Sequence, residues 1–283
     1  MPNDFNQQVI DEFRANRGRV GGYFEGARLL LLTTTGARTG TPHTTPVGYL
    51  PDGGDRILVI ASAGGSARHP DWFRNLVAHP QATVESGTFT YEARAEILTG
   101  EKRDQVFARA VEADAGWAAY QEKTTRVIPV VALHSLAQGG PGNINATSFG
   151  EAIKVVHDAF RHELALIRRE MNTGEETGIA LGAQLRINCL TFCQGLHNHH
   201  TGEELALFPL VTERHPGSAP AVARLREEHE RIAELVEKLR ETITDKEANP
   251  TTVRAEVNRL TTALEAHLTY EEEELIPLFD TAS

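Results

Sequence analysis

Two stretches of the chain share one polar skeleton. HNHHTGEELALFP (His197–Pro209) and HLTYEEEELIP (His267–Pro277) each place a Glu four residues after a His and a Pro ten residues after it. The pairs are His199 with Glu203 and His267 with Glu271. On a helix, residues four apart lie on one face. Imidazole nitrogens and carboxylate oxygens on one face suit iron, manganese or zinc.

The surrounding pattern aims these groups inward. Apolar residues at steps of three or four mark one face of each of four helices. They run Ile153, Phe160, Leu164, Ile167; then Leu181, Leu185, Cys189, Phe192, Leu196, Leu207; then Leu225, Ile232, Val236, Leu239; then Leu260, Leu264, Leu275, Leu278. His157, His199, Glu203, His229, His267 and Glu271 fall on those faces. A lone His there would be an ordinary hydrogen-bonded core residue. Six polar groups are another matter, because each uncompensated buried charge costs several kcal/mol. One metal cluster accounts for the whole set. His200 adjoins His199 and could reach the cluster edge, but it is not assigned. His162 and His197 lie off the face, His215 lies in a loop, and Cys189 and Cys193 read as core thiols. Of the run Glu271–Glu274 only Glu271 is expected inside.

The helices that must hold these groups are expected near 150–172, 178–212, 219–244 and 250–280. Asn172-Thr173-Gly174, the His215–Pro220 stretch and Asn249-Pro250 separate them. Short connections favour an up-down four-helix bundle. Upstream lies AQGGPGNINATSFG, an uncharged stretch read as a linker over 137–150. Charge divides at this seam. Residues 1–140 hold 14 Lys and Arg against 15 Asp and Glu, and residues 141–283 hold 14 against 24. Neither half is basic, which argues against nucleic acid as a partner. With 283 residues, 40% hydrophobic and 24% charged, the chain suits two globular domains. It has no apolar run of membrane-spanning length, no secretory signal pattern and only two Cys, so a cytoplasmic location without stable membrane insertion is expected.

Residues 1–136 read as a second kind of fold. Strands are expected at Leu29–Thr35, His43–Leu50, Arg56–Ala61, Ala82–Ser86, Thr88–Leu98 and Val127–Leu133, with helices at Asn6–Arg17, Pro70–Ala78 and Glu101–Ala113. Six strands with glycine turns suggest a small closed barrel. Its chemistry would sit in two loops, Thr33–Pro46 and Ala61–Leu76, whose small residues let backbone N–H groups approach an anion. There is no G-x-G-x-x-G or Walker pattern.

At these residues two resemblances emerge. His157, His199-x3-Glu203, Glu228-His229 and His267-x3-Glu271, with the trailing Leu-Phe-Pro and Leu-Ile-Pro, resemble the hemerythrin HHE family over about 151–280. That resemblance implies a non-haem di-iron centre that meets O2, peroxide or NO. Hemerythrins proper carry His-x3-His on the third helix, whereas here the residue four after His229 is Ala233. Simple reversible O2 carriage fits such a departure poorly. LLLLTTTGARTGTPHTTPVGYL, ASAGGSARHPDWFRNLVAHP and YQEKTTRVIPVV resemble the deazaflavin-dependent nitroreductase family, which uses coenzyme F-420. That resemblance implies a split β-barrel delivering hydride to a quinone, nitro compound or activated alkene. Carried over by position, Arg38, Thr39, His43, Thr44, Thr45 and Pro46 would line the cofactor. Ala61, Ser62, Ala63, Gly64, Gly65, Arg68, His69, Trp72 and Asn75 would complete the pocket. Tyr120 and Lys123 would stand on the substrate side, with Tyr120 or Ser62 as candidate proton donors. His43 stands where the family often has Arg.

The expected molecule is therefore multidomain α+β: a split barrel over 1–136, the linker, and a helical bundle over 151–283. Its expected function is F-420-dependent reduction of a small-molecule acceptor, joined to a di-iron module that senses or consumes O2, peroxide or NO. A homodimer is among the expected assemblies. The rival reading is an iron- or oxygen-binding sensor or storage protein whose barrel binds FMN or haem, or has no catalytic role.

Overall fold

The computed structural model describes residues 4–137, 143–144, 146–177, 181–245 and 247–280, with the side chains of 173–177 and 280 left aside. The chain forms two compact units, Met1–Asn145 with Gly182–Gln184, and Ala146–Leu181 with Leu185–Ser283. Among the described residues no helix is long and apolar enough to cross a membrane.

The first unit runs α1 (Asp4–Ala15), β1 (Leu29–Thr35), β2 (Pro42–Pro51), β3 (Arg56–Ile60), α2 (Asp71–Ala78), β4 (Gln81–Ser86), β5 (Phe89–Leu98), α3 (Gly100–Ala113), α4 (Gly116–Glu122), β6 (Val130–Ser135) and β7 (Asn143–Ile144). The strand order β4-β1-β2-β3-β6-β5 closes on itself through β4–β5 pairing, giving a six-stranded antiparallel barrel. The apolar run of β1 serves both faces, because side chains alternate along a strand. Leu30 and Leu32 enter the barrel core with Val59, Val84, Val131 and Leu133. Leu29 and Leu31 instead pack under Val9, Ile10 and Phe13 of α1. In the same way Leu58, Ile60, Val130 and Ala132 turn outward, where Phe107 and Ala110 of α3 cover them.

The strands lie within a few residues of their expected bounds. Two elements do not. α4 occupies a stretch given no element, and Asn143–Ile144, expected in a linker, pairs with Phe89–Thr90 of β5. Residues 138–142 and 145 of that linker lie outside the described residues.

The second unit contains α5 (Phe149–Thr177), α6 (Ala183–Gly202), a π-helical turn at Glu203–Leu207, α7 (Phe208–Arg214), α8 (Ala219–Thr244) and α9 (Pro250–Asp280). α5 continues through the break expected at Asn172–Gly174. The expected second helix is interrupted by the π turn, and its expected first residues, 178–180, lie outside the described residues. Two apolar clusters fill the bundle. One joins Leu164, Ile167, Phe192, Leu196, Ile232, Val236, Leu260 and Leu264. The other joins Ile153, Leu207, Phe208, Leu225, Leu275 and Ile276. On α5, α6 with the π turn, and α8 the polar residues of interest fall in sequence between these two clusters, and on α9 they lie around and after Leu268.

Candidate metal centre and cofactor loops

In the bundle the polar residues converge. His157, His267 and Glu271 are at most 1% exposed, and Glu203, His229 and His200 are also buried. Their ligand atoms form two groups, each with its atoms within 4.8 Å of one another. One is His157, His199, Glu203 and Glu271; the other is His200, Glu203, His229 and His267. Glu203 belongs to both. Its Oε1 lies 3.1 Å from His199 Nε2, and its Oε2 lies 3.4 Å from His229 Nε2. Glu271 Oε2 also stands between the groups, 3.4 Å from His157 Nε2 and 3.7 Å from His267 Nε2.

These atoms fit a metal better than they fit one another. Nε2 of all five histidines, Oε2 of Glu203 and both Glu271 oxygens are buried with no hydrogen-bond partner. An unmade buried hydrogen bond costs about 1–3 kcal/mol, so this concentration of orphans needs an occupant. Two positions flanked by histidines and bridged by carboxylates match the donor set of a two-iron site.

The electrostatics agree. Burial holds His199 down to about 3 and also lowers His200, His229 and His267, so these rings stay neutral with a free lone pair. Burial opposes charge on His157 as well, but the nearby Glu271 carboxylate and the hydrogen bond to Glu272 outweigh it and raise that ring. Burial, then the Glu271 charge, push Glu203 well above the usual carboxylate range. Glu271 is as deeply buried, yet the raised His157 ring, 3.4 Å away, holds it down to about 2.

The structure thus brings together every metal residue expected from the sequence and adds His200. His200 stacks on His229 with ring centroids 4.0 Å apart, so its ring stands beside the third helix, where Ala233 offers no ligand. The buried face of a bundle helix is wide enough for two adjacent positions, which spacing at three and four cannot register. Glu272, expected to be solvated with its neighbours, instead accepts a hydrogen bond from His157 Nδ1 at 2.9 Å. The π turn is the local device behind this end of the site. Phe208 N–H bonds to Glu203 O, five residues back, and the extra residue in the turn lets Glu203, Leu207 and Phe208 all face inward. Pro209, which lacks an N–H, follows directly.

In the barrel the two loops expected to hold a cofactor are each pinned. The first, between β1 and β2, exposes Arg38, Thr39 and His43 and half-buries Thr44, Thr45 and Pro46. His43 Nε2 lies 3.2 Å from Thr41 Oγ1 and 3.4 Å from Thr39 Oγ1. A Cβ on Gly36 would stand 2.4 Å from Thr39 Oγ1, so a larger residue there would have to displace the Thr39 side chain. Asn75 of α2 braces it: Ala37 N–H donates to Asn75 Oδ1, and Asn75 Nδ2 donates to Thr34 Oγ1, both at 3.0 Å. Asn75 and Trp72 are buried, the latter in the barrel core, whereas Arg68 and Gly64 are exposed.

The second loop is strained. Ala63 has φ 48°, followed by Gly64 at 63° and Gly65 at 84°. A non-glycine residue there persists only when its surroundings over-determine it. Arg126, which motif reading left unassigned, supplies that constraint. It donates to Ala61 O at 3.0 Å, Ser62 O at 2.6 Å and Ser66 O at 2.8 Å. It also donates to His69 Nδ1 at 3.1 Å, which leaves the His69 proton on Nε2. Burial, then the Arg126 and Arg74 charges, lower the His69 pKa. Gly65 meets α4 closely, since a Cβ there would lie 2.7 Å from Lys123 Cβ and 2.9 Å from Tyr120 O. Tyr120 packs edge-on to Trp117 at 6.0 Å. A hydrogen bond to Tyr23, then burial, raises the Tyr120 phenol, making it a weaker acid. Tyr23 is 82% exposed and carries no motif that marks it.

Comparison with known proteins places each unit. The family model of the F420H2-dependent quinone reductases matches residues 6–135, and the model of the hemerythrin HHE cation binding domain matches residues 149–279. An F420H2-dependent quinone reductase of Mycobacterium tuberculosis is 39% identical over 127 residues, which are 43% of this chain and 83% of that protein. A solved F-420-dependent reductase, FDR-A, is 36% identical, covering 38% of this chain and 94% of that one, with a TM-score of 0.35. A solved chain described as a domain-swapped dimer is 31% identical, covering 47% of this chain and 100% of that one, with a TM-score of 0.37.

Proposed function

The chain belongs to the F420H2-dependent quinone reductase family and carries a hemerythrin HHE domain after it, and on that premise we propose an oxidoreductase that joins F-420 chemistry to a di-iron centre. The barrel unit takes in β7, and the bundle unit follows it. The observation that supports the metal half is the convergence of unpaired imidazole and carboxylate atoms in two groups sharing Glu203. When bound, F-420 in its reduced form supplies a hydride, and the iron pair supplies two-electron chemistry toward O2, peroxide or NO.

The chain's own residues orient and enclose. His157, His199 and Glu271 would hold one iron, His200, His229 and His267 the other, and Glu203 belongs to both groups. In the barrel, Arg38, Thr39, His43, Thr44, Thr45 and Pro46 would hold the cofactor from one loop, and Ala61, Ser62, Ala63, Gly64, Gly65, Arg68 and His69 from the other. Asn75 and Trp72 brace these loops from beneath. His69, neutral with its proton on Nε2, offers a donor to the cofactor. The raised Tyr120 phenol keeps its proton at neutral pH and hydrogen-bonds the acceptor, with Ser62 as the second candidate donor. The acceptor is a small molecule of the quinone or nitro class. A hydride carries two electrons and an iron pair takes up two, so the modules match in stoichiometry.

The test is anaerobic oxidation of reduced F-420 by a quinone, followed by absorbance at the cofactor's visible band. The expected result is turnover that survives removal of the metal and falls at least tenfold in Arg126→Ala. Failure to bind F-420 while binding FMN or haem would overturn the barrel assignment.

A further inference from the structure

Three of the buried imidazoles use their second ring nitrogen in the same way. His157 Nδ1 donates to Glu272 Oε1 at 2.9 Å, His229 Nδ1 to Glu204 Oε1 at 3.0 Å, and His267 Nδ1 to Glu228 Oε2 at 3.1 Å. Every one of these bonds crosses between elements. Each carboxylate also adjoins an inward-facing group in the sequence: Glu272 follows Glu271, Glu204 follows Glu203, and Glu228 precedes His229. The result is a directed series. The π turn after α6 orients a ring on α8, α8 orients a ring on α9, and α9 orients a ring on α5.

An arginine stands behind each carboxylate. Arg161 reaches Glu272 at 2.8 Å, Arg226 reaches Glu204 at 3.1 Å, and Arg224 reaches Glu228 at 2.9 Å. The carboxylates are shielded, with side chains 20%, 34% and 15% exposed in that order. No comparable carboxylate meets Nδ1 of His199 or His200 among the described residues.

We propose that Glu204, Glu228 and Glu272 are positioning residues for the bundle centre. Each fixes one imidazole with its proton on Nδ1 and its lone pair on Nε2 facing inward. A carboxylate on the far nitrogen sets the tautomer and ring angle and makes the near nitrogen a stronger donor. The two positions are therefore supported unequally: one supported ring, His157, serves the first, and two, His229 and His267, serve the second. This inference rests on reading the bundle as a metal site.

The test uses the full chain stripped of metal. Ferrous iron is titrated anaerobically against a chelator of known affinity, and cobalt(II) is added separately to read the visible ligand-field spectrum. Glu204, Glu228 and Glu272 are each changed to Ala and to Gln, and Glu273→Gln, an exposed neighbour, is the control. Each Ala variant should weaken iron binding about 10- to 100-fold. Each Gln variant, which keeps an acceptor oxygen and loses the charge, should recover part of that loss. The cobalt(II) bands should shift in all six, and Glu273→Gln should match the unaltered chain. Wild-type affinity and spectrum in the Gln variants would overturn the proposal even if the Ala variants fail to fold. An affinity loss that only follows lower stability of the metal-free chain, without a spectral shift, would overturn it as well. An unaltered chain that takes up neither metal would overturn the metal reading itself.

Discussion

Glu203 stands where the two groups of ligand atoms meet, one oxygen toward His199 and the other toward His229. Its replacement should therefore disturb both positions, whereas His200 belongs to one group only. Metal analysis of aerobically purified protein should find about two irons per chain, fewer than one in Glu203→Ala and about one in His200→Ala. Two irons retained in both variants would contradict the shared-ligand arrangement. The first six candidate ligands could be named because buried charge is costly enough to make a polar residue on an apolar face conspicuous. His200 could be raised from its place beside His199 but not assigned, because its neighbour already filled the expected position. The positioning roles of Glu204, Glu228 and Glu272 were not legible, although Glu228 stands in the Glu228-His229 motif, because their partners lie on other elements. The two cysteines offer a pH test of the same burial. Burial pushes the Cys193 thiol up to about 12 from an ordinary 9.0. The fold thus favours the neutral thiol. That contribution to stability is fully present below pH 9 and is lost as pH rises from 9 toward 12. Alkylation of the native chain at pH 8 should be slow and should become fast only on unfolding.

At the scale of elements, the loop Ala61–Ser66 shows how one side chain can hold a strained turn. Removing the Arg126 guanidinium leaves several loop carbonyls without their donor. Arg126→Ala should lower barrel stability by about 1–3 kcal/mol in urea unfolding and weaken F-420 binding. Gly65→Ala should do likewise through its positive φ and its close approach to α4. F-420 affinity unchanged in both would show that the loop does not shape the cofactor site. The barrel strands could be read in advance because β-branched and apolar residues alternate between glycine turns. α4 was missed because GWAAYQE is short and half-buried, so its periodicity spans too few turns to register. The π turn left no trace either: Pro277 sits in α9 without one, so a proline alone does not foretell it. What decides it is the demand that Glu203, Leu207 and Phe208 all face inward.

At the scale of the whole chain, two units were legible from the charge step across the seam and from the change of period from two to three-and-four. The account assigns each unit its own ligand, so metal removal should act on one of them. Chelation should lower the melting temperature of the bundle transition and leave the barrel transition in place, read by calorimetry with and without iron. Loss of both transitions together would contradict independent stabilisation. The central claim is the proposal that one chain holds a deazaflavin reductase and a two-iron centre, whose matching two-electron chemistry would let the first reduce the second. The most direct test is to measure iron in aerobically purified protein, then add F-420 and an F-420-reducing system without oxygen while recording the visible spectrum. The account predicts about two irons per chain and charge-transfer bands that bleach on reduction. Two irons whose bands stay unchanged would contradict the sharing of electrons, and a chain holding no iron would contradict the di-iron centre.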